Sequence, residues 1–260
     1  MKAAVVISGH YRSFEYLSDH IKQTYKGCDF YFCLWDHNYR YKSVTSKATN
    51  QVKMETYLTE ELDIDSADRF ISKEYGTSPV FVSSQEYMDF VNKVPNAYFL
   101  HEGDKRGRYA QQYLMYRAQS LLKGEYDIVF RQRPDIYQPF PIPLFKIAEE
   151  VKIKSQKKGS EYVIWTPRVH IKRGYCHIDD TFFYGSHSSM DKLLGNLAEN
   201  LFNLLDNKLI KQGEKEYFYY HKVLGSLLLQ TRVDDVIELP QYFKNYIIRY
   251  PDVVNNTLMF

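Results

Sequence analysis

"AAVVISGHYRSF", Ala3–Phe14, decides the fold class. Ala3 to Ile7 form an unbroken apolar run, Ser8-Gly9-His10 interrupts it, and the residues from about Ser13 to Tyr25 are compatible with a helix. An apolar strand, a glycine-containing tight turn and a helix in that order open an α/β fold. "DFYFCLWD", Asp29–Asp36, follows directly. Its continuous apolar character predicts a strand buried on both faces, as in a parallel sheet covered by helices.

Further along, "SPVFVSS" reads as a short strand, and "SSQEYMDFVNKV" as a helix whose serine precedes acidic residues, a capping signal. "YAQQYLMYRAQSLLKG" carries helical spacing with Gly124 as its stop. The segment from Asn38 to about Gln51 is polar and aperiodic and reads as a mobile loop over the active edge. "EEVKIKSQKKGSE" reads as a charged surface loop, and prolines 134, 139, 141 and 143 predict an extended segment before it. "EYVIWTP" and "VIELP" read as strands, "HIDDTFFYGS" as a loop entering a strand, and two amphipathic helices lie between Ser188 and Gln230. Neither repeat nor linker interrupts the 260 residues, so a single α/β domain with a mostly parallel central sheet is expected.

Composition excludes some functions. A formal net charge of +2 lacks the basic footprint of a nucleic-acid binder. The opening apolar run is too short for a signal-peptide core or a membrane span. Cys28, Cys33 and Cys176 are an odd set without metal-ligand spacing, which fits reduced thiols and a cytoplasmic chain. The 24 Tyr and 16 Phe suit a large core and clefts that hold sugars or bases.

Four groups of residues could carry chemistry. In the opening turn, Ser8, Gly9, His10 and Arg12 offer backbone N–H groups and a cation to a phosphate or nucleotide, although the glycine spacing is neither a Walker loop nor a dinucleotide fingerprint. An ordinary tight turn with a surface arginine explains the same residues about as well. "YDIVFRQRPDIYQPF", Tyr126–Phe140, runs from an apolar strand into Arg131, Arg133 and Asp135, which share one strand face by alternation. A guanidinium fork suits phosphate oxygens, and a carboxylate beside it suits a bridging divalent ion. A structural ion pair between Arg133 and Asp135 is the alternative. Asp179 and Asp180 stand beside His177 at the mouth of a strand, as a proton acceptor or a solvated turn, and Glu214 and Glu216 precede an aromatic helix whose dipole favours them in any case. A serine hydrolase is disfavoured because Gly-x-Ser-x-Gly does not occur.

Taken in order, "AVVISGHYRSFE", "CDFYFCLWD", "YDIVFRQRPDIY", "DDTFFYG" and "EYFYYHKVL" resemble a loose group of nucleotide-sugar glycosyltransferases of bacterial and viral polysaccharide synthesis. The resemblance implies a GT-A-like fold with the donor at the carboxyl ends of the strands. It implies Ser8, Gly9 and Arg12 in the nucleotide pocket, Arg131 and Arg133 near the diphosphate, and Asp135 as a ligand of Mn²⁺ or Mg²⁺. Asp180 matches the aspartate of the "DxFxyG" motif and Glu216 the late glutamate, either of them contacting the acceptor or serving as base. The chain departs from the usual pattern in carrying arginine where the first aspartate of Asp-x-Asp would stand, so arginine can itself neutralise the leaving diphosphate.

The function this implies is transfer of a sugar from a nucleotide-sugar donor to a glycan or lipid-linked acceptor, with peripheral membrane contact left open. The polar segments Asn38–Gln51 and His101–Arg108 are placed to choose the acceptor. A non-catalytic carbohydrate- or nucleotide-binding module, and a phosphohydrolase using Asp135 and Asp180 as metal ligands, are the competing classes.

Overall fold

The apolar run that opens the chain becomes an interior strand whose side chains alternate between two cores. Ala4 and Val6 enter one, and Ala3, Val5 and Ile7 the other. The computed structural model describes residues 1–45, 52–93, 110–138, 142–157, 162–167, 169–172, 175–178, 181–195, 235–239 and 246–247. Within these, the order is β1 (Ala3–Gly9), α1 (Phe14–Thr24), β2 (Asp29–Trp35), β3 (His37–Thr45), β4 (Val52–Glu61), α2 (Ile64–Tyr75), β5 (Val80–Val82), α3 (Ser84–Val91) and α4 (Ala110–Gln119). There follow β6 (Ile128–Gln132), β7 (Ile136–Tyr137), α5 (Leu144–Ser155), β8 (Val163–Thr166), β9 (Val169–Lys172), β10 (Tyr175–Ile178), β11 (Phe182–Gly185), α6 (His187–Met190), β12 (Asp235–Glu238) and β13 (Tyr246–Ile247).

Among the described residues seven strands form the main sheet in the order β12-β8-β11-β6-β1-β2-β5. Six run in one direction, and β11 alone is antiparallel to both of its neighbours. The expected α/β architecture with a mostly parallel sheet is therefore present. Helices cover both faces. The apolar sides of α1 (Phe14, Leu17, Ile21), α2 (Ala67, Ile71) and α5 (Ile147, Val151) bury against one face, and α3 (Tyr87, Val91) and α4 (Leu114, Met115, Ala118) against the other.

Much of the aromatic content is core. Phe14 is fully buried and meets Phe32, Phe70 and Tyr75 with ring centroids 5.4, 6.3 and 5.7 Å away. Burying each such ring contributes about 1.5–3 kcal/mol. Helix starts follow local chemistry, since Ser83 Oγ accepts the Glu86 N–H at 3.0 Å and Asp63 Oδ1 the Ser66 N–H at 3.0 Å.

Two expectations are corrected. The polar segment from Asn38 is not a loop over its described part, because β3 and β4 pair as an antiparallel ribbon from His37↔Glu61 to Thr45↔Val52. A two-stranded ribbon outside the main sheet need not show the apolar alternation of a half-buried strand, so its pairing left no pattern to read. The charged stretch beginning at Glu149 lies largely in α5, where Ile147 and Val151 face inward one turn apart while lysines and glutamates take the outer side. The two amphipathic helices expected between Ser188 and Gln230 fall mostly outside the described residues. Their opening is seen as α6, capped by Ser186 Oγ, which accepts the Ser189 N–H at 3.1 Å, followed by a π-helical turn at Asp191–Gly195.

Candidate functional site

From β1 the chain crosses to β2 on one side, and it later returns to the opposite side of β1 as β6. In open parallel sheets such a reversal leaves a crevice at the carboxyl ends of the two strands, and ligands bind there. Ser8–Arg12 leaves β1 and Arg131–Asp135 leaves β6 at this point. The topology thus brings together two groups of residues more than 100 positions apart.

The two turns interlock. Gly9 has φ +152°, and a Cβ added to it would lie 2.8 Å from Pro134 Cδ, so only glycine admits this approach. Arg12 takes a positive φ of 38°, unusual for a side chain of its size. Its backbone N–H donates to Asn38 Oδ1 at 3.0 Å, and its Nη1 donates to Asp135 Oδ2 at 3.0 Å. Arg133 grips the same carboxylate side-on, Nε to Oδ1 at 2.9 Å and Nη2 to Oδ2 at 2.6 Å, while its backbone N–H donates to Thr181 O at 3.0 Å. Asp135 is 1% exposed.

Arg131, Arg133 and Asp135 do not line one face as strict alternation predicts. The strand ends at Gln132, and Pro134-Asp135 turns back. Arg131 points into the interior, fully buried, with Nε donating to Ser8 Oγ at 3.1 Å and Nη2 to Ser8 O at 3.3 Å. Its guanidinium lies 5.8 Å from the Phe183 ring centroid. One motif therefore divides into a buried cation that fastens β6 to β1 and an Arg133–Asp135 ion pair in the turn beside Gly9.

Burial alone would raise the Asp135 pKa, but Arg133 and then Arg12 outweigh it and hold the carboxyl below its ordinary value. His10 is pushed down to about 3, first by burial and then by the Arg12 charge. Its Nδ1–H donates to His37 O at 2.9 Å, which fixes the neutral tautomer. Because the unfolded chain protonates His10 near pH 6.5 and the folded chain near 3, stability falls as pH drops through that window, by about 1.4 kcal/mol per unit. His10→Asn keeps a donor for His37 and removes this titration. Its unfolding free energy should decline less steeply between pH 6 and 4 than the parent's, and parallel slopes in denaturant titrations would contradict the assignment.

Sequence reading passed over His37 and took Asn38 only as the start of a loop placed to choose the acceptor. Asp36 Oδ1 lies 2.6 Å from His37 Nδ1, and the His37 ring lies 5.5 Å from His10 and 5.6 Å from Trp35. The available signal was position, since polar residues directly after a parallel strand sit at the ligand edge. Asp180 and Glu216, the expected proton acceptors, and the His101–Arg108 segment lie outside the described residues.

A divalent cation at Asp135 does not fit this arrangement. Both carboxylate oxygens already accept guanidinium N–H groups, and two fixed positive charges stand where the ion would sit. Among the described residues no cluster of three or more His, Cys, Asp or Glu side chains could hold a metal ion. Nor is any helix among them long and apolar enough to cross a membrane.

Scans of family models and of curated proteins found no match. Among solved structures the chain is similar to mouse xyloside xylosyltransferase 1 in its apo form. That likeness has a TM-score of 0.44 and 10% identity, covering 92% of this chain and 84% of the other. A likeness this distant carries no weight beside the chain's own geometry.

Proposed function

We propose that the chain, as one domain, is a glycosyltransferase that moves a sugar from a nucleotide-sugar donor to a hydroxyl of a glycan or lipid-linked acceptor, in polysaccharide synthesis. The observation that carries this reading is the Arg12–Asp135–Arg133 constellation at the crevice between β1 and β6. Breaking the bond between the anomeric carbon and the diphosphate oxygen builds negative charge on the departing nucleotide diphosphate. Cations fixed beforehand beside that oxygen lower the barrier without reorganising during the reaction. Arg12 and Arg133 supply them, and Ser8, Gly9 and His10 form the floor beside them. The acceptor hydroxyl attacks the anomeric carbon and gives its proton to a carboxylate, the role assigned to Asp180 with Glu216 as the second choice.

Thermal-shift measurements with UDP-, GDP-, CMP- and dTDP-sugars test the donor class. Stabilisation by one nucleotide family, with sugar transferred or released on incubation, is the expected result. Stabilisation without turnover would make the chain a binding module, and phosphate release from the nucleotide would make it a phosphohydrolase. No shift with any nucleotide would end the reading.

A further inference from the structure

We infer that Asp135 is a positioning residue that holds Arg12 and Arg133 as a preformed anion cradle, so that a nucleoside diphosphate binds this crevice without a divalent cation. This rests on the donor reading above. Three independent features converge on it. The first is how the carboxylate is held: Oδ2 accepts from both arginines, at 3.0 Å from Arg12 and 2.6 Å from Arg133, and Oδ1 accepts from Arg133 at 2.9 Å. A cation binding there would have to expel these donors and then sit between two like charges.

The second is backbone strain. Arg12 holds φ 38°, a conformation that costs free energy and persists only where surrounding contacts impose it. Asn38 Oδ1 secures its N–H and Asp135 its guanidinium, so the strained residue is pinned at both ends. The third is rigidity on the other side. Pro134 packs against Gly9, and the Arg133 N–H is tied to Thr181 O, so the turn that carries Arg133 and Asp135 cannot move independently of β1 and β11.

The physical logic is that of an anion site assembled before its ligand arrives. Two guanidiniums brought together without a counter-charge would repel. Asp135 removes that repulsion, and its own charge is outnumbered two to one within the triad. The triad keeps a net positive charge while its geometry is set, so a diphosphate meets oriented donors and loses little to reorganisation.

The test is isothermal titration of UDP, GDP, CDP, ADP and dTDP into the protein, in EDTA and in Mn²⁺, with free Mn²⁺ followed by electron paramagnetic resonance. One diphosphate should bind in EDTA within about twofold of its affinity in Mn²⁺, and the protein should take up no Mn²⁺ in the absence of nucleotide. Arg12→Gln and Arg133→Gln should each weaken binding in EDTA by about ten- to a hundredfold, the weight of a charge-assisted hydrogen bond. Asp135→Asn should weaken it comparably, and Arg133→Lys, which keeps the charge without the fork, should fall between. If Asp135→Asn does not fold, the two glutamine variants decide. Diphosphate binding that requires Mn²⁺, or Mn²⁺ uptake lost in Asp135→Asn, would overturn the inference and leave the donor reading standing. Failure of every diphosphate in both conditions would overturn both.

Discussion

Asp135→Ala should lower folding stability by about 3–5 kcal/mol, the usual cost of removing one partner from a buried ionic group. For a chain of this size that corresponds to a fall in melting temperature of about 6–20 °C. The carboxylate is 1% exposed and accepts from two guanidiniums, so alanine leaves two positive charges facing one another where water enters poorly. Arg12→Ala in the same background should recover part of the loss, because it removes one of the two like charges that Asp135 holds together. The pH dependence has a definite sign. Arg133 and Arg12 hold the folded-state pKa of Asp135 below its ordinary value despite burial, so its contribution is complete above the unfolded value near 3.9 and is lost as pH falls through the lowered folded value. Parent and variant stabilities should therefore converge in acid. A loss below about 1 kcal/mol at pH 7 in urea unfolding would mean that the triad behaves like an exposed surface pair.

Gly9→Ala should be nearly as costly and should also strike the site. Its Cβ would lie 2.8 Å from Pro134 Cδ, a ring that cannot swing aside as a flexible side chain would. Relieving such overpacking costs about 1–3 kcal/mol, and holding alanine at φ +152° costs about 1–3 kcal/mol more. Gly27→Ala serves as a reference without steric contact, because φ there is also positive, at +88°, and nothing lies within 4 Å of the added carbon. The excess loss in Gly9→Ala reports the contact with Pro134 together with the difference in backbone strain between the two φ values. Since Pro134 sits between Arg133 and Asp135, only Gly9→Ala should also weaken nucleotide binding. Equal stability losses and unchanged binding in both variants would show that the turns are not interlocked.

The order of elements was legible where burial writes a pattern along the chain. Ala3–Ile7 and Phe32–Trp35 are buried on both sides of the sheet, so they are apolar without alternation, and the helices beside them carry inward residues about a turn apart. The α/β class and the mostly parallel sheet follow from that. The ribbon of β3 and β4 did not follow, because strands that among the described residues pair with each other and not with the main sheet need no apolar face. Helix α5 was obscured by its own charges, since its inward pair, Ile147 and Val151, stands among lysines and glutamates.

Local chemistry in the chain singled out Ser8, Gly9, His10 and Arg12, because a glycine turn after a strand offers N–H groups and a cation to an anion, and Arg131, Arg133 and Asp135, because charges at the end of an apolar strand are costly unless something pairs with them. Which of them pair was a matter for the tertiary structure. Strand alternation would put Arg131 beside Arg133 and Asp135, yet the strand ends at Gln132, so Arg131 turns to Ser8 while Arg133 and Arg12 share Asp135. Composition and periodicity record what each residue buries along its own strand or helix. The meeting of Arg12 with Asp135, 123 positions away, depends on β1 and β6 lying side by side. That adjacency comes from the order in which the sheet is assembled, which no local pattern encodes.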